Sequence, residues 1–226
     1  MNDCLKSAVT LLAAVCALAV APSASAQSAG QFTAKVGLGT ITPKVDSGNV
    51  TAPALPGTKV AVGDDTEAVF IFAYGLTDNI SAELALGAPY THKLYGAGAI
   101  EGTGQLGSVQ SLPPSLFIQY RFFKPEATLR PFVGLGATYA YFRRETGSGQ
   151  LTSVLNTGGP ATTFHIGAKV AGTLQGGVVY NINPRWFADL TVTKTYLKIA
   201  TRYSTGQTQD VRLNPLGVIV AVGYKF

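Results

Sequence analysis

Cysteine is almost missing from this chain. Of 226 residues two are cysteine, Cys4 and Cys16, and both fall before residue 27. If that leader is removed, the remainder has no disulfide, no thiolate nucleophile and no thiolate metal ligand. Histidine is equally scarce: His92 and His165 are the only side chains whose ordinary pKa makes them bases near neutral pH. Neither has a carboxylate at a fixed spacing, and no serine sits in a nucleophile-elbow context. No catalytic residue is therefore predicted, and both histidines are assigned to loop hydrogen bonding. Asp64, Asp65 and Glu67 are the only closely spaced acids, and they read as a solvated loop end; no metal and no cofactor are expected. Charged residues make up 13% of the chain, yet no later apolar run reaches the ~20 residues of a spanning helix. Apolar residues are plentiful but dispersed.

Glycine (26), phenylalanine (11) and tyrosine (10) are abundant instead. The last fourteen residues, Leu213 to Phe226, show how they are arranged. Leu216, Val218, Val220, Val222, Tyr224 and Phe226 share one face, while Gly217, Ile219, Ala221, Gly223 and Lys225 share the other. A bulky apolar face opposite a small, partly polar one suits a wall between lipid and a narrow lumen. A terminal aromatic on the apolar face is what bacterial outer-membrane barrels offer their assembly machinery, so Phe226 is assigned that partner. At the other end, residues 1–26 read as a signal peptide: Lys6, an apolar run from Ala8 to Ala21, then Ala24-Ser25-Ala26. Cys16 follows Val15, which disfavours a lipoprotein site. The leader carries Lys6 and Asp3, so its removal leaves the formal charge at +5. The basic residues are scattered through loops with no motif that docks a groove, so no nucleic-acid partner is expected. Lipopolysaccharide phosphates suit them better.

Residues 27–226 read as one domain of eight strands: Gln31 to Ile41, Thr66 to Tyr74, Ile80 to Tyr90, Ser111 to Phe123, Pro131 to Phe142, Gly172 to Ile182, Trp186 to Thr201 and Leu213 to Phe226. Each reaches the about 9–11 residues that cross an outer membrane at a tilt. Three connections are short, at 75–79, 124–130 and 183–185; four are long and polar or Gly-rich, at 42–65, 91–110, 143–171 and 202–212. That asymmetry predicts an all-β, eight-stranded antiparallel transmembrane barrel of the outer-membrane type, with both termini periplasmic and four extracellular loops. Closure leaves no unpaired edge in hydrocarbon.

Alternation then sorts the side chains. Phe32, Val36, Leu38, Leu84, Leu116, Ile118, Tyr120, Val133, Leu135 and Leu190 should face lipid. Lys35, Glu83, Gln119, Arg121, Gln175, Asp189 and Lys225 should point inward as a polar plug, paired because unpaired charge in a narrow barrel is costly. Strict alternation puts Lys194 and Lys198 on the lipid face, at the outer headgroup level unless a bulge flips the register. Both join Arg143, Arg144, Arg202 and Arg212 as candidate lipopolysaccharide contacts. Pro89, Pro113 and Pro114 should meet at the outer ends of neighbouring strands, where a residue without an N–H weakens the ladder. They are candidates for a lateral seam, against the alternative that they only end the strands. Leu94, Tyr95, Phe117, Phe142 and Leu155 are candidates for an apolar funnel above the plug.

Gly30-Gln31-Phe32 with Thr42-Pro43, Thr77-Asp78-Asn79-Ile80 before Glu83-Leu84, and Pro89-Tyr90-Thr91-His92-Lys93 form an ordered series of motifs. Leu112-Pro113-Pro114-Ser115-Leu116, Arg130-Pro131-Phe132-Val133-Gly134, Gly176-Gly177-Val178, Asn181-Ile182-Asn183, Trp186 and Val211-Arg212-Leu213-Asn214-Pro215 continue it. In order and spacing they resemble the outer membrane protein W (OmpW) family of small eight-stranded porins. The resemblance implies a bacterial outer-membrane location and a narrow passage for small, often hydrophobic molecules, some relatives accompanying hydrocarbon-degrading pathways. The chain departs from that pattern in the third loop, where a Gly/Ser/Thr-rich stretch from Thr146 to Thr163 replaces a more charged, partly helical segment. Three function classes follow: a passive channel for hydrophobic solutes, with possible lateral exit; a barrel that binds lipopolysaccharide or serves as a phage or bacteriocin receptor; and, third, a lipid-modifying enzyme. The first is the expectation.

Overall fold

The computed structural model describes residues 28–226, so the predicted leader and both cysteines lie outside the described residues. In chain order the first strands are β1 (Phe32–Thr42), β2 (Asp46–Ser47), β3 (Thr58–Val62), β4 (Asp65–Gly75), β5 (Ile80–Gly87), β6 (Tyr90–Gly98), β7 (Gln105–Leu112) and β8 (Ser115–Arg121). The long β9 (Leu129–Gly147) leads to the short helix α1 (Gly149–Leu155). There follow β10 (Phe164–Ile166), β11 (Lys169–Asn181), β12 (Trp186–Tyr196), β13 (Lys198–Tyr203), β14 (Thr208–Arg212) and β15 (Leu216–Lys225).

Eight of these strands pair antiparallel in the cyclic order β1-β4-β5-β8-β9-β11-β12-β15, and β15 returns to β1 from Thr33↔Lys225 to Thr42↔Leu216. The ring is closed. Its outer surface carries the bulky apolar side chains that alternation assigned to it; Leu38, Leu135 and Val220 are each more than 60% exposed. Aromatic rings gather at the periplasmic rim, where Phe226 packs 5.8 Å from Phe32 and 5.1 Å from Tyr224, itself 5.0 Å from Trp186.

Inward-facing glycines make space for inward-facing rings. A Cβ on Gly223 would lie 2.1 Å from the ring of Phe187, and one on Gly136 would lie 2.4 Å from the ring of Phe117. A barrel this narrow has room for a large side chain only opposite a residue without one.

The segments expected as four long loops are in part strands. β3, β6, β7 and the upper half of β9 form one wall above the ring, and β10, β13, β14 and β2 form a separate four-stranded sheet. Their polar, Gly-rich composition hid this, because mutual pairing rather than apolar alternation satisfies their backbone groups. Three expected strands are accordingly split, at Gly87–Tyr90, Leu112–Ser115 and Tyr196–Lys198. The Gly/Ser/Thr-rich third loop contains α1, whose N-cap Ser148 accepts from the Leu151 amide and whose Leu151 and Leu155 are buried. His165 lies on β10. No bulge interrupts β12, whose pairing runs unbroken from Trp186↔Tyr224 to Lys194↔Leu216. Alternation therefore holds through Lys194.

Candidate functional site

The lower lumen is filled by charge. Lys35 on β1 donates to Glu83 on β5 at 2.7 Å and to Asp189 on β12 at 3.0 Å, all three fully enclosed. The remaining carboxylate oxygens are also occupied: Gln175 Nε2 donates to Glu83 Oε1 at 2.9 Å, and Thr191 Oγ1 donates to Asp189 Oδ1 at 2.6 Å. Gln119 Nε2 donates to Gln175 Oε1 at 2.9 Å, and Arg121 reaches Gln119 Oε1 at 2.9 Å and Ser81 Oγ at 3.1 Å. Two cations thus face two carboxylates in one connected network. Lys225 stands apart from it, donating to Asn181 Oδ1 at 2.8 Å beside the Phe187 ring.

Sequence reasoning missed the floor beneath this network. Phe132, Val179 and Phe187 form a small buried apolar cluster. Arg130, fully buried, donates to the Asp78 and Phe122 carbonyls and so ties the periplasmic turns together. Extending the inward parity of Gly134 and Gly136 down β9 points to both Phe132 and Arg130.

Above the charges the lumen opens into a cavity. Its walls combine apolar residues (Ile41, Val62, Val69, Leu94, Phe117, Phe142, Ile166, Leu197, Ile199, Leu213 and Ile219) with His92, Tyr90 and several hydroxyls. The cavity has a volume of about 140 Å³. That is close to the roughly 150 Å³ of an apolar cavity that holds a benzene-sized molecule, and far from a general pore. A second apolar chamber higher up shares Val62, Leu94, Ile166, Ile199 and Leu213 with it and reaches Leu106, Leu151 and Tyr203. The two form a continuous apolar column.

Of the five funnel candidates, Leu94, Phe117 and Phe142 line the lower cavity. Leu155 is packed in the apolar core of the outer extension and lines neither chamber. Tyr95 faces outward: it follows inward-facing Leu94 on β6, so alternation carries it to the other face, and the ring is exposed.

Pro89, Pro113 and Pro114 fall where the wall is interrupted. The β5–β8 ladder stops at Ala85↔Ser115 and the β6–β7 ladder resumes at Tyr90↔Ser111, leaving 86–89 opposite 112–114 without register pairs. On either side the barrel stays joined, by Ala88 N to Ala68 O at 2.8 Å and Tyr139 N to Pro114 O at 2.9 Å. Pro113, Gly87 and Leu86 line the cavity, although Leu86 belongs to the outward-facing set and is 38% exposed.

Of the six basic candidates at the outer rim, Lys198, Arg202 and Arg212 share the exposed face of the β13–β14 pair. Lys194 donates to the Asn214 carbonyl; Lys198 pairs with Asp210 at 2.7 Å; Arg212 lies 3.9 Å from Asp46. Arg143 is half-buried, whereas Arg144, at a positive φ of 49°, and Arg202 are exposed. His92 Nδ1 is 2.8 Å from the Gly63 carbonyl, and burial lowers its pKa against that contact and the nearby Asp64 and Asp65. His165 Nδ1 lies 3.1 Å from Glu145 Oε2 on the surface. Among the described residues no cluster of His, Cys, Asp and Glu is arranged to hold a metal.

Comparison with known proteins agrees with this architecture. Outer membrane protein W of Vibrio cholerae serotype O1 is 30% identical, the match covering 98% of this chain and all of the relative. A Pseudomonas aeruginosa relative named dibenzothiophene metabolism operon protein PahQ is 28% identical over 76% of this chain and 77% of its own. In fold, the outer membrane protein OprG from Pseudomonas aeruginosa superposes with a TM-score of 0.79 at 24% identity, covering 88% of this chain and 97% of that one. The OmpW family model matches residues 28–226, the whole of the barrel described above. With its ring closed, its apolar belt outward and its full length matched, the chain belongs to the OmpW family of Gram-negative outer-membrane proteins.

Proposed function

We propose that this barrel is a passive channel, not an enzyme, which takes small apolar solutes from the outer face and releases them sideways into the bilayer. The solute enters through the upper chamber, rests in the lower cavity, and is stopped there by the Lys35–Glu83–Asp189 network. Burying an apolar molecule among those charges would strip their hydrogen bonds, so the way down is closed to it. The observation that carries the reading is the wall between Leu86 and Pro113, where the ladder lapses and a lipid-facing leucine also lines the cavity. No backbone ladder has to be broken for a solute to pass at that level, apart from contacts on either side. The relative whose name refers to dibenzothiophene metabolism, an apolar compound, supports the same solute class.

Replacing Pro113 and Pro114 with Val restores two ladder N–H groups. Uptake of a hydrophobic solute into cells carrying P113V/P114V should fall severalfold, with folded barrel in the outer membrane unchanged. Uptake equal to that of the unaltered protein would reject the lateral route. Lipopolysaccharide contact remains a proposal for Arg143, Arg144, Lys194, Lys198, Arg202 and Arg212, of which Lys194, Lys198 and Arg212 also have protein partners.

A further inference from the structure

Four hydroxyls on four successive barrel strands form a hydrogen-bonded belt at the base of the cavity. Ser115 on β8 is 2.8 Å from Thr138 on β9, Thr138 is 2.7 Å from Thr173 on β11, and Thr173 is 3.0 Å from Thr195 on β12. All four are at least nine-tenths buried and all four line the cavity. The direction of the chain is fixed at one end. Ser115 Oγ also lies 3.0 Å from the Pro113 carbonyl, which can only accept, so the Ser115 proton goes there. A hydroxyl has one proton. Thr138 must therefore donate to Ser115, Thr173 to Thr138 and Thr195 to Thr173.

The consequence is an asymmetric surface. Every proton of the belt is spent on a belt hydroxyl or on the Pro113 carbonyl, while the Thr195 oxygen keeps both acceptor sites and each of the other three keeps one. His92, on the same cavity's wall, has the same polarity. Its Nδ1 faces the Gly63 carbonyl at 2.8 Å and so carries the ring proton, leaving Nε2 as a bare acceptor in the neutral ring. Tyr90, Ser111 and Thr193 also line the cavity, but their hydroxyls can turn to give or accept and so do not discriminate.

We propose that the cavity selects neutral, mainly apolar molecules that carry a hydrogen-bond donor, such as alkanols and phenols, over acceptor-only molecules of equal size. A ketone or ether placed against the belt sets lone pairs against lone pairs, whereas a hydroxyl gains a partner as it leaves water. This rests on the passage reading above and adds the chemistry that the passage prefers. One net hydrogen bond corresponds to a roughly three- to tenfold preference.

The test uses cells with and without the intact barrel, in which the lipopolysaccharide leaflet limits the background entry of 1-octanol, 2-octanone and octane. Barrel-dependent initial rates, each normalised to the barrel-free rate, should favour 1-octanol over 2-octanone by roughly three- to tenfold. Thr173→Val breaks the chain and frees the Thr195 proton to donate, so it should lower that ratio, and Thr173→Ser, which keeps the hydroxyl, should restore it. Ser115→Ala, which removes the hydroxyl whose contact with the Pro113 carbonyl sets the direction and frees the Thr138 proton, serves if T173V does not fold. Equal barrel-dependent uptake of octanol and octanone by the unaltered protein would overturn the donor preference and leave the passage standing. Absence of barrel-dependent uptake for all three would instead remove the passage. In that event, threonine-methyl NMR of the full barrel in lipid nanodiscs, titrated with 1-hexanol and 2-hexanone, decides the preference. Shifts specific to the alcohol support it, and equal shifts overturn it.

Discussion

Lys35 holds two buried carboxylates at once, and its loss would leave Glu83 and Asp189 with Arg121 as their one counter-charge in a water-poor interior. Breaking such a group by removing one partner costs about 3–5 kcal/mol. Lys35→Met is therefore expected to lower unfolding stability by that amount, read from urea titration of the protein in lipid vesicles. Gly136→Ala is a second test of residue-scale fit. The new methyl would meet the Leu116 backbone carbonyl at 2.3 Å and the Phe117 ring at 2.4 Å, and the carbonyl cannot yield without disturbing the ladder. A loss of about 1–3 kcal/mol in the same titration is expected. His92 gives the pH dependence. Burial lowers its pKa below the ordinary histidine value, so the folded protein binds fewer protons there than the unfolded chain. Its contribution to stability is complete above about pH 6.5 and declines as the pH falls toward the depressed folded value. Melting curves at pH 7.5 and 5 should show this loss, and His92→Gln should reduce the pH-dependent part.

Strand β8 shows how much an element discloses by itself. From Ser115 to Arg121 its residues alternate without fault between lumen and lipid, and Phe117 is placed inside by parity alone despite being aromatic. The same parity located Lys35, Glu83, Gln175 and Asp189, because one apolar face against hydrocarbon pins the register of a strand. Tyr95 obeys it too: it follows inward-facing Leu94 on β6 and so faces out, because two adjacent residues of one strand cannot both line a lumen. The strands above the ring themselves escaped. Neither of their faces touches lipid, so no apolar alternation is demanded of them. The hydroxyl belt was hidden for another reason: Ser115, Thr138, Thr173 and Thr195 become neighbours only through the registers of four separate strands. At this scale the interrupted wall makes its own prediction. Amide exchange of Gly87, whose N–H faces the gap, should be fast relative to Glu83 and Phe117, by NMR in nanodiscs. Uniform protection would contradict a lapse in the ladder.

The whole molecule is a stack of layers: rings and Arg130 at the bottom, then balanced charges, a hydroxyl belt, an apolar cavity, and a β-walled mouth. Ions and apolar solutes meet opposite obstacles in it. The charged layer is dense and neutral overall, with Lys35 and Arg121 facing Glu83 and Asp189, so only a small ionic conductance is expected from the intact barrel. Replacing Glu83 and Asp189 together with Ala leaves the two cations unbalanced. Any remaining current should then turn toward anion selectivity, read from the reversal potential across a planar bilayer in asymmetric KCl.

The junction between β1 and β15 joins the first strand of the ring to the last, over ten residue pairs from Thr33↔Lys225 to Thr42↔Leu216. No hairpin tethers that pair, and almost the entire sequence separates its members. A ribosome must therefore finish the chain before the cylinder can be sealed. A product ending ahead of Leu216 would present two raw margins, on β1 and β12, and pulse-labelling should find it degraded or aggregated instead of inserted.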